Sequence, residues 1–437
     1  MAVTTHYYGR SGEVQRDETV FGFLNFLENI VYVVLLLFFS GAIIALLFTD
    51  LSNLDQENPL ARLAWFPVYG VVLALILRTF PGFFRMSIFS PIIVLCVMWC
   101  GISMFWSVDF GVTMRRSVAL LITTMAGLVL AARFTWSEMV QKIAFTFAIL
   151  AIITVLVALL NPSRGVMSEI HVGAWRGPWV EKNYLGGMMT KGLIAVMCAF
   201  AMRPDRWWLW FPTGLLCFAL VLMSTSKTAL LISVTAIAFF IALRIFRRFP
   251  ILRVPLVYAV IASITGFAAA MLIAPEFMFS LIGKDPTFTG RTDIWALIST
   301  SIRNEWLLGY GYGAYWLDPL GPSYYVRLAL EWGVPSAHNG WMDLWLAGGV
   351  IAVVIFAIHL FIIVGLSIDR VFRGGTETYW VVLSTMMFIG FSLSESSILM
   401  QNDISWVMFV ATSAKLISFE KPFWRRPEDH PQSYLNV

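Results

Sequence analysis

The chain has 437 residues, 59% of them hydrophobic and 13% charged, with a formal net charge of +4 and a mean hydropathy of +0.78. Soluble globular chains are about half apolar and about a quarter charged, so this composition excludes a water-soluble enzyme and points to a lipid-facing surface. Eighteen Trp and thirty-five Phe fit aromatic belts at the edges of such a surface, and no basic face marks a nucleic-acid partner.

In chain order, the first 28 residues are polar and carry Arg10 and Arg16. No cleavable signal peptide is visible, and the first apolar run reads as a signal anchor. About 20 apolar residues cross a bilayer. Runs of that kind fall near 29–49, 62–80, 88–106, 117–132, 139–160, 184–202, 207–223 and 228–246, then near 254–275, 341–367, 378–398 and 403–419. The expected fold is all-α: a polytopic membrane helix bundle of about 12 transmembrane helices, forming one integral membrane domain (29–419) between short tails (1–28 and 420–437). No two-halves internal repeat of the transporter kind is apparent.

Lys and Arg in short loops set orientation. With the N-terminus cytoplasmic, the inner loops hold Arg78 and Arg85, Arg133, Arg203 and Arg206, Arg244 to Arg253, Arg370 and Arg373, and the C-terminal tail holds Lys421, Arg425 and Arg426. Both termini are then cytoplasmic, and two longer connections, 161–183 and 276–340, lie outside. Loops of that length usually carry function.

Against this background some cations stand on the unexpected side. Arg115 and Arg116 precede the fourth span, and Arg164, Arg176 and Lys182 lie in the first outer loop. Lys227 closes the turn Ser224-Thr225-Ser226-Lys227, while Lys284, Arg291, Arg303 and Arg327 belong to the large loop. Arg offers paired donors for phosphate oxygens and Lys a point charge, so the set suits an anionic lipid-linked group. The competing reading is that they snorkel to headgroups or pair with Glu169, Glu181, Asp285 and Glu305. Lys191, two turns into the sixth span, is expected to face a cavity or a partner. Glu395 near the end of the eleventh span is either that partner or a ligand for substrate hydroxyls.

Of the five histidines, His359 is deep in the tenth span and reads as buried. His338, within Pro335-Ser336-Ala337-His338-Asn339-Gly340, stands at the membrane–water boundary, where it is either structural or a base near neutral pH. Cys96 and Cys100 share a helix face without a third ligand and read as small core residues rather than a metal site.

These outer-face segments together resemble the O-antigen ligase and Wzy-type polysaccharide polymerase superfamily, closest to ExoQ-like exopolysaccharide polymerases. The resemblance rests on Glu181-Lys182-Asn183-Tyr184-Leu185-Gly186, on Ser224-Thr225-Ser226-Lys227-Thr228 and on Gly290-Arg291-Thr292-Asp293-Ile294-Trp295. It continues through Leu308-Gly309-Tyr310-Gly311-Tyr312-Gly313, Ala337-His338-Asn339 and Gly348-Gly349, with Ser107-Val108-Asp109 and Ser394-Glu395-Ser396 in support. It covers roughly residues 90–415.

What the resemblance implies is a metal-independent glycosyltransferase of GT-C architecture in the bacterial inner membrane, without a cofactor. It would join polyprenyl-diphosphate-linked oligosaccharides to a growing glycan chain at the periplasmic face, among membrane lipids and compatible with a flippase and a chain-length regulator as partners. The leaving diphosphate is a stabilised anion and needs charge stabilisation, expected from Arg291 with Arg116, Arg176, Lys182 and Lys227. The acceptor hydroxyl needs a base, expected to be His338 with Asn339 orienting the ring or substrate. Asn183, Glu395 and Tyr312 are expected to touch substrate. No hydrolase-type carboxylate pair is apparent on the outer face. A ligase that moves the glycan to lipid A–core, and a carrier or flippase for the lipid-linked glycan, are the alternatives.

Overall fold

A computed structural model describes residues 11–51, 58–169, 171–255, 291–317 and 321–418, with side chains from Asn25 onward. The ninth expected span beyond residue 255, the loop positions Lys284 and Asp285, and the C-terminal tail lie outside the described residues.

Regular structure among the described residues is helical, apart from one antiparallel bridge between Val166 and Trp175. The first part of the chain forms α1 (Ser11–Phe39), α2 (Ala42–Phe48), α3 (Pro59–Leu63), α4 (Trp65–Arg78), α5 (Phe80–Phe89), α6 (Pro91–Ile102), α7 (Phe110–Arg133) and α8 (Trp136–Leu160). After the short α9 (Pro162–Gly165) come α10 (Lys182–Met202), α11 (Trp207–Met223) and α12 (Lys227–Arg248). The remainder forms α13 (Arg291–Asn304), α14 (Tyr324–Leu330), α15 (Gly340–Arg373), α16 (Glu377–Ser394) and α17 (Ile404–Ile417).

Among the described residues seven helices are long and apolar enough to cross a membrane, or up to nine if each of two bent pairs counts as one span. Those nine coincide with the first eight expected spans and the tenth. The expected count of about twelve is not reached among the described residues: α17 has 14 residues, and the polar side chains of α16 dilute its 18. Two of the nine are bent pairs of helices. The chain turns by 63° between α1 and α2, where Gly41 takes φ 71°, and by 86° between α5 and α6, where Ser90-Pro91 interrupts the helix. Leu77, Phe105, Leu160 and Phe361 point outward over the bundle surface, an apolar exterior suited to lipid.

Helix α10 is the hub and packs against α8, α11, α12 and α16. Its glycines permit close approach: a Cβ on Gly186 would lie 2.8 Å from Ser224 Oγ, and one on Gly192 2.9 Å from Phe147 Cβ. Thr190 then reaches Ser233 of α12 at 2.9 Å. On the other side α17 lies against α7, where Trp406 donates to Thr124 at 2.9 Å. Lys415 is buried, yet its Nζ donates to the carbonyls of Ala131 (3.2 Å) and Phe134 (2.6 Å) and so caps the end of α7. At the same end of the bundle the buried Glu28 holds Arg78 at 3.2 Å and Arg133 at 2.6 Å.

The opposite end is made of turns. Helix α15 breaks at Gly349, whose φ is 67°, and the turn 306–310 docks into the break. Tyr310 N donates to Leu346 O at 2.7 Å and Val350 N to Trp306 O at 2.9 Å. A Cβ on Gly349 would sit 1.9 Å from the Leu307 carbonyl oxygen, so this approach of two backbones requires glycine. The Gly-rich turn and the Gly348-Gly349 pair are thus two halves of one joint.

Candidate functional site

Three segments meet at that end: the turn before α15, the loop after α16 and the start of α13. His338 precedes α15 with a left-handed φ of 49°, a costly conformation for a residue with a side chain. Its Nδ1 lies 3.5 Å from Glu395 Oε2, and Glu395 Oε1 accepts from Arg291 Nη2 at 3.0 Å. Residues 338, 395 and 291 therefore form one string, imidazole to carboxylate to guanidinium. Burial alone would raise the Glu395 carboxyl, but the hydrogen bond with His338 and the charge of Arg291 overcome it and hold the group below the usual range. Glu395 is thus an ionised partner able to orient His338 and stabilise its protonated form.

A second carboxylate fixes this geometry. Asp343, in the first turn of α15, accepts at Oδ1 from Ala337 N (3.1 Å) and from Trp316 Nε1 (2.8 Å). Its Oδ2 accepts from Ser396 Oγ. One side chain therefore grips the residue before His338 and the residue after Glu395. Trp295, one turn into α13 from Arg291, donates to Ala337 O at 2.8 Å and ties the third segment to the same turn.

His338 and Glu395 line a cavity of about 470 Å³. Its lining combines polar side chains, Glu181, Asn183, Ser336 and Asp403, with apolar ones, Ile44, Ala45, Trp65 and Phe391. Trp179 and Tyr184 share one side, their rings 5.8 Å apart, with Tyr184 donating to Asp403 at 3.3 Å. Trp179 is fixed by its own indole N–H, which donates to Ser40 O at 2.9 Å where α1 breaks into α2. The bend at Gly41 thus turns α2 into a cavity wall.

The cations expected to gather here are dispersed. Arg291 joins the His338–Glu395 pair but is not among the cavity-lining residues. Lys182 donates to Thr225 Oγ1 at 3.2 Å, in the turn that ends at Lys227. Arg176 donates to the carbonyls of Arg164 (2.7 Å) and Ser163 (2.9 Å), and Arg164 to those of Thr49 and Ala45. Arg116 donates to Gly313 O at 2.5 Å. Arg116, Arg164 and Arg176 thus hold backbone carbonyls.

Of the other expected site residues, Asn183 lines the cavity. Asn339 caps α15, its Oδ1 accepting from Trp341 N (3.0 Å) and Met342 N (3.2 Å), so Glu395 and not Asn339 neighbours the imidazole. Tyr312 is buried, with its hydroxyl donating to Leu399 O at 2.5 Å and paired with Gln401. Glu395 is not the ion partner of Lys191; its oxygens face Arg291 and His338. His359 is buried between Phe356 and Phe409. Among the described residues no group of three His, Cys, Asp or Glu side chains is placed to hold a metal ion, and Cys96 and Cys100 are buried free thiols.

Sequence comparison bears on this geometry directly. The profile of the O-antigen ligase family (Wzy_C) matches residues 212–357, a stretch that includes the 224–228 turn, Arg291, His338 and the Gly348-Gly349 break. The exopolysaccharide production protein ExoQ of Rhizobium meliloti (strain 1021) is 23% identical over 336 residues, covering 74% of this chain and 74% of its own.

Proposed function

We propose that this chain is a glycosyltransferase of the inner membrane, a polysaccharide polymerase that joins polyprenyl-diphosphate-linked oligosaccharide units into an exopolysaccharide. The observation that carries this reading is the string His338–Glu395–Arg291 opening onto a cavity lined by both polar and apolar side chains. Such a cavity suits a substrate that is part isoprenoid and part sugar. The similarity to ExoQ, named for exopolysaccharide production, favours this substrate class over others.

In the reaction, the hydroxyl oxygen of the acceptor sugar attacks C1 of the donor glycan. The C1–O bond to the diphosphate breaks, and its electron pair leaves with the polyprenyl diphosphate. His338 takes the hydroxyl proton as the new bond forms, and the ionised Glu395 steadies the resulting imidazolium. Arg291 keeps Glu395 ionised and in place. The reaction so written uses no metal, because the diphosphate leaves as a stabilised anion. The acceptor is the growing glycan chain, and the active end of the bundle faces the periplasm with both termini in the cytoplasm. About twelve spans in a GT-C arrangement fit this reading, as do a flippase delivering the donor and a regulator of chain length.

The test mixes purified protein with a lipid-linked repeat unit and sizes the products. A ladder of lengths is expected. A single transfer to an added lipid A–core acceptor makes the chain a ligase, and no covalent product makes it a carrier. His338→Ala is expected to abolish the ladder while membrane insertion and protein level persist; a normal ladder from this variant removes His338 from the base role.

A further inference from the structure

Among the described residues two lysines are buried inside the bundle, and they differ in one respect. Lys415 is satisfied by two carbonyls and has a structural task. Lys191 is 8% exposed, and among the described residues its ammonium has no hydrogen bond or ion pair. Its Nζ lies over the Phe391 ring at 4.7 Å and reaches back toward Gly187, into the cavity that His338 and Glu395 line. The two carboxylates nearest in the cavity are already engaged: Glu395 with Arg291 and His338, and Asp403 with Ser405 N at 2.7 Å and with Tyr184. A buried ammonium with no direct hydrogen bond or ion pair among the described residues, reached only at longer range by the charges of Asp403 and Glu395, is costly and persists where something uses it.

Resting on the lipid-linked donor argued above, we propose that Lys191 holds the donor's diphosphate, which places the leaving group deep in the cavity, on the membrane side of His338. Nine residues separate Lys191 from the start of α10 at Lys182, about 13 Å of helix. Charge and apolarity point the same way. Glu181, Glu395 and Asp403 line the cavity and repel a phosphate, whereas Lys191 attracts it. Beside Lys191, Phe391 and Met188, with Ile44 and Ala45 of α2, give an isoprenoid chain its apolar contact. The glycan then extends past His338 toward Asn183 and Tyr184, and the acceptor approaches from the outer side.

The experiment uses full-length protein in detergent and measures binding of farnesyl diphosphate, farnesol, inorganic pyrophosphate and phosphatidylglycerol by calorimetry. Wild type is expected to bind farnesyl diphosphate well above farnesol, with pyrophosphate weaker and phosphatidylglycerol unable to compete. Lys191→Gln is expected to weaken farnesyl diphosphate at least ~10-fold and to leave farnesol unchanged, while Lys191→Arg restores much of the loss. If Lys191→Gln does not fold, wild type carries the test: bound farnesyl diphosphate is expected to slow acylation of Lys191, read by mass spectrometry. Equal binding by the Gln variant, or acylation unaffected by ligand, overturns the assignment. Full competition by phosphatidylglycerol makes this a phospholipid headgroup site and also overturns it. Failure of wild type to bind the diphosphate while still forming a polymer ladder overturns the Lys191 assignment alone; failure in both assays removes the polymerase reading with it.

Discussion

Glu395→Gln keeps the size and shape of the side chain and removes its charge, so it isolates what the carboxylate does for His338. When His338 takes a proton in the transition state, an ion pair forms across the 3.5 Å between Nδ1 and Oε2. Two unit charges about 4 Å apart attract by about 4 kcal/mol at an effective dielectric of about 20. The His338 side chain is 22% and that of Glu395 34% exposed, so solvent screens part of this attraction. Taking roughly half leaves about 2 kcal/mol, which corresponds to about a 30-fold fall in kcat. The charge is felt once the proton has moved, so KM is expected to change by less than about 3-fold. The assay is initial-rate polymerisation with a lipid-linked repeat unit at several concentrations. A raised KM with kcat intact would refute the reasoning, because it would make Glu395 a ligand for substrate hydroxyls. Wild-type values for both would leave Glu395 without a catalytic task.

The same assay separates two roles for Arg291. Arg291→Lys keeps a charge but loses the planar donor that meets Glu395 at 3.0 Å. Acting through Glu395, it is expected to lower kcat about 10-fold and leave KM unchanged, whereas a raised KM would mean direct contact with the diphosphate. Asp343→Asn keeps the shape but leaves one neutral acceptor oxygen for Ala337 N and Trp316 and puts an N–H donor where Oδ2 accepts from Ser396. A loss of about 2 kcal/mol is expected, seen as earlier melting of the purified protein together with a fall in kcat. Unchanged melting would mean that the two loops are held together by other contacts.

Much of the membrane architecture is legible in the sequence because hydropathy is a local property. Nine of the expected spans coincide with helices or bent pairs, and the Gly41 and Pro91 breaks have their usual residues in place. The angles of those breaks are not local, and α2 lines the cavity together with Trp179 and Tyr184 from a distant part of the chain. The site is half legible. His338, Asn183, Lys191 and Glu395 stand out by type and position and do line one cavity. Their pairing was not readable, because Glu395 lies 57 residues from His338 and 104 from Arg291. Asn339 had a legible signal of a different kind: an Asn directly before a helix is a cap first. Arg116 and Arg176, which hold backbone carbonyls, show why a cation on the unexpected side is ambiguous. A misplaced cation is costly whether a ligand or a backbone carbonyl satisfies it, and the sequence does not say which.

Backbone strain gathers around the site, and this gives Tyr312 a different task from touching substrate. Thr225, His338, Leu399 and Asn402 all take positive φ without being glycine, and each stands in a turn next to a cavity-lining or cation-bearing segment. Such a residue costs on the order of 1–2 kcal/mol and persists only where neighbours over-determine it. Those neighbours are visible: Thr123 accepts from Asn402 N at 2.8 Å, Ser336 from His338 N at 3.3 Å, and the Tyr312 hydroxyl donates to Leu399 O. The loop that carries Glu395 at one end and Asp403 at the other is therefore pinned from beneath by Tyr312. Tyr312→Phe keeps the ring but strips the Leu399 carbonyl of its donor, which is expected to cost about 1–3 kcal/mol of stability. Because the ring is buried and does not line the cavity, substrate affinity should hold while melting comes earlier. A raised KM with unaltered melting would return Tyr312 to the substrate and take away the strongest of the pins on this loop.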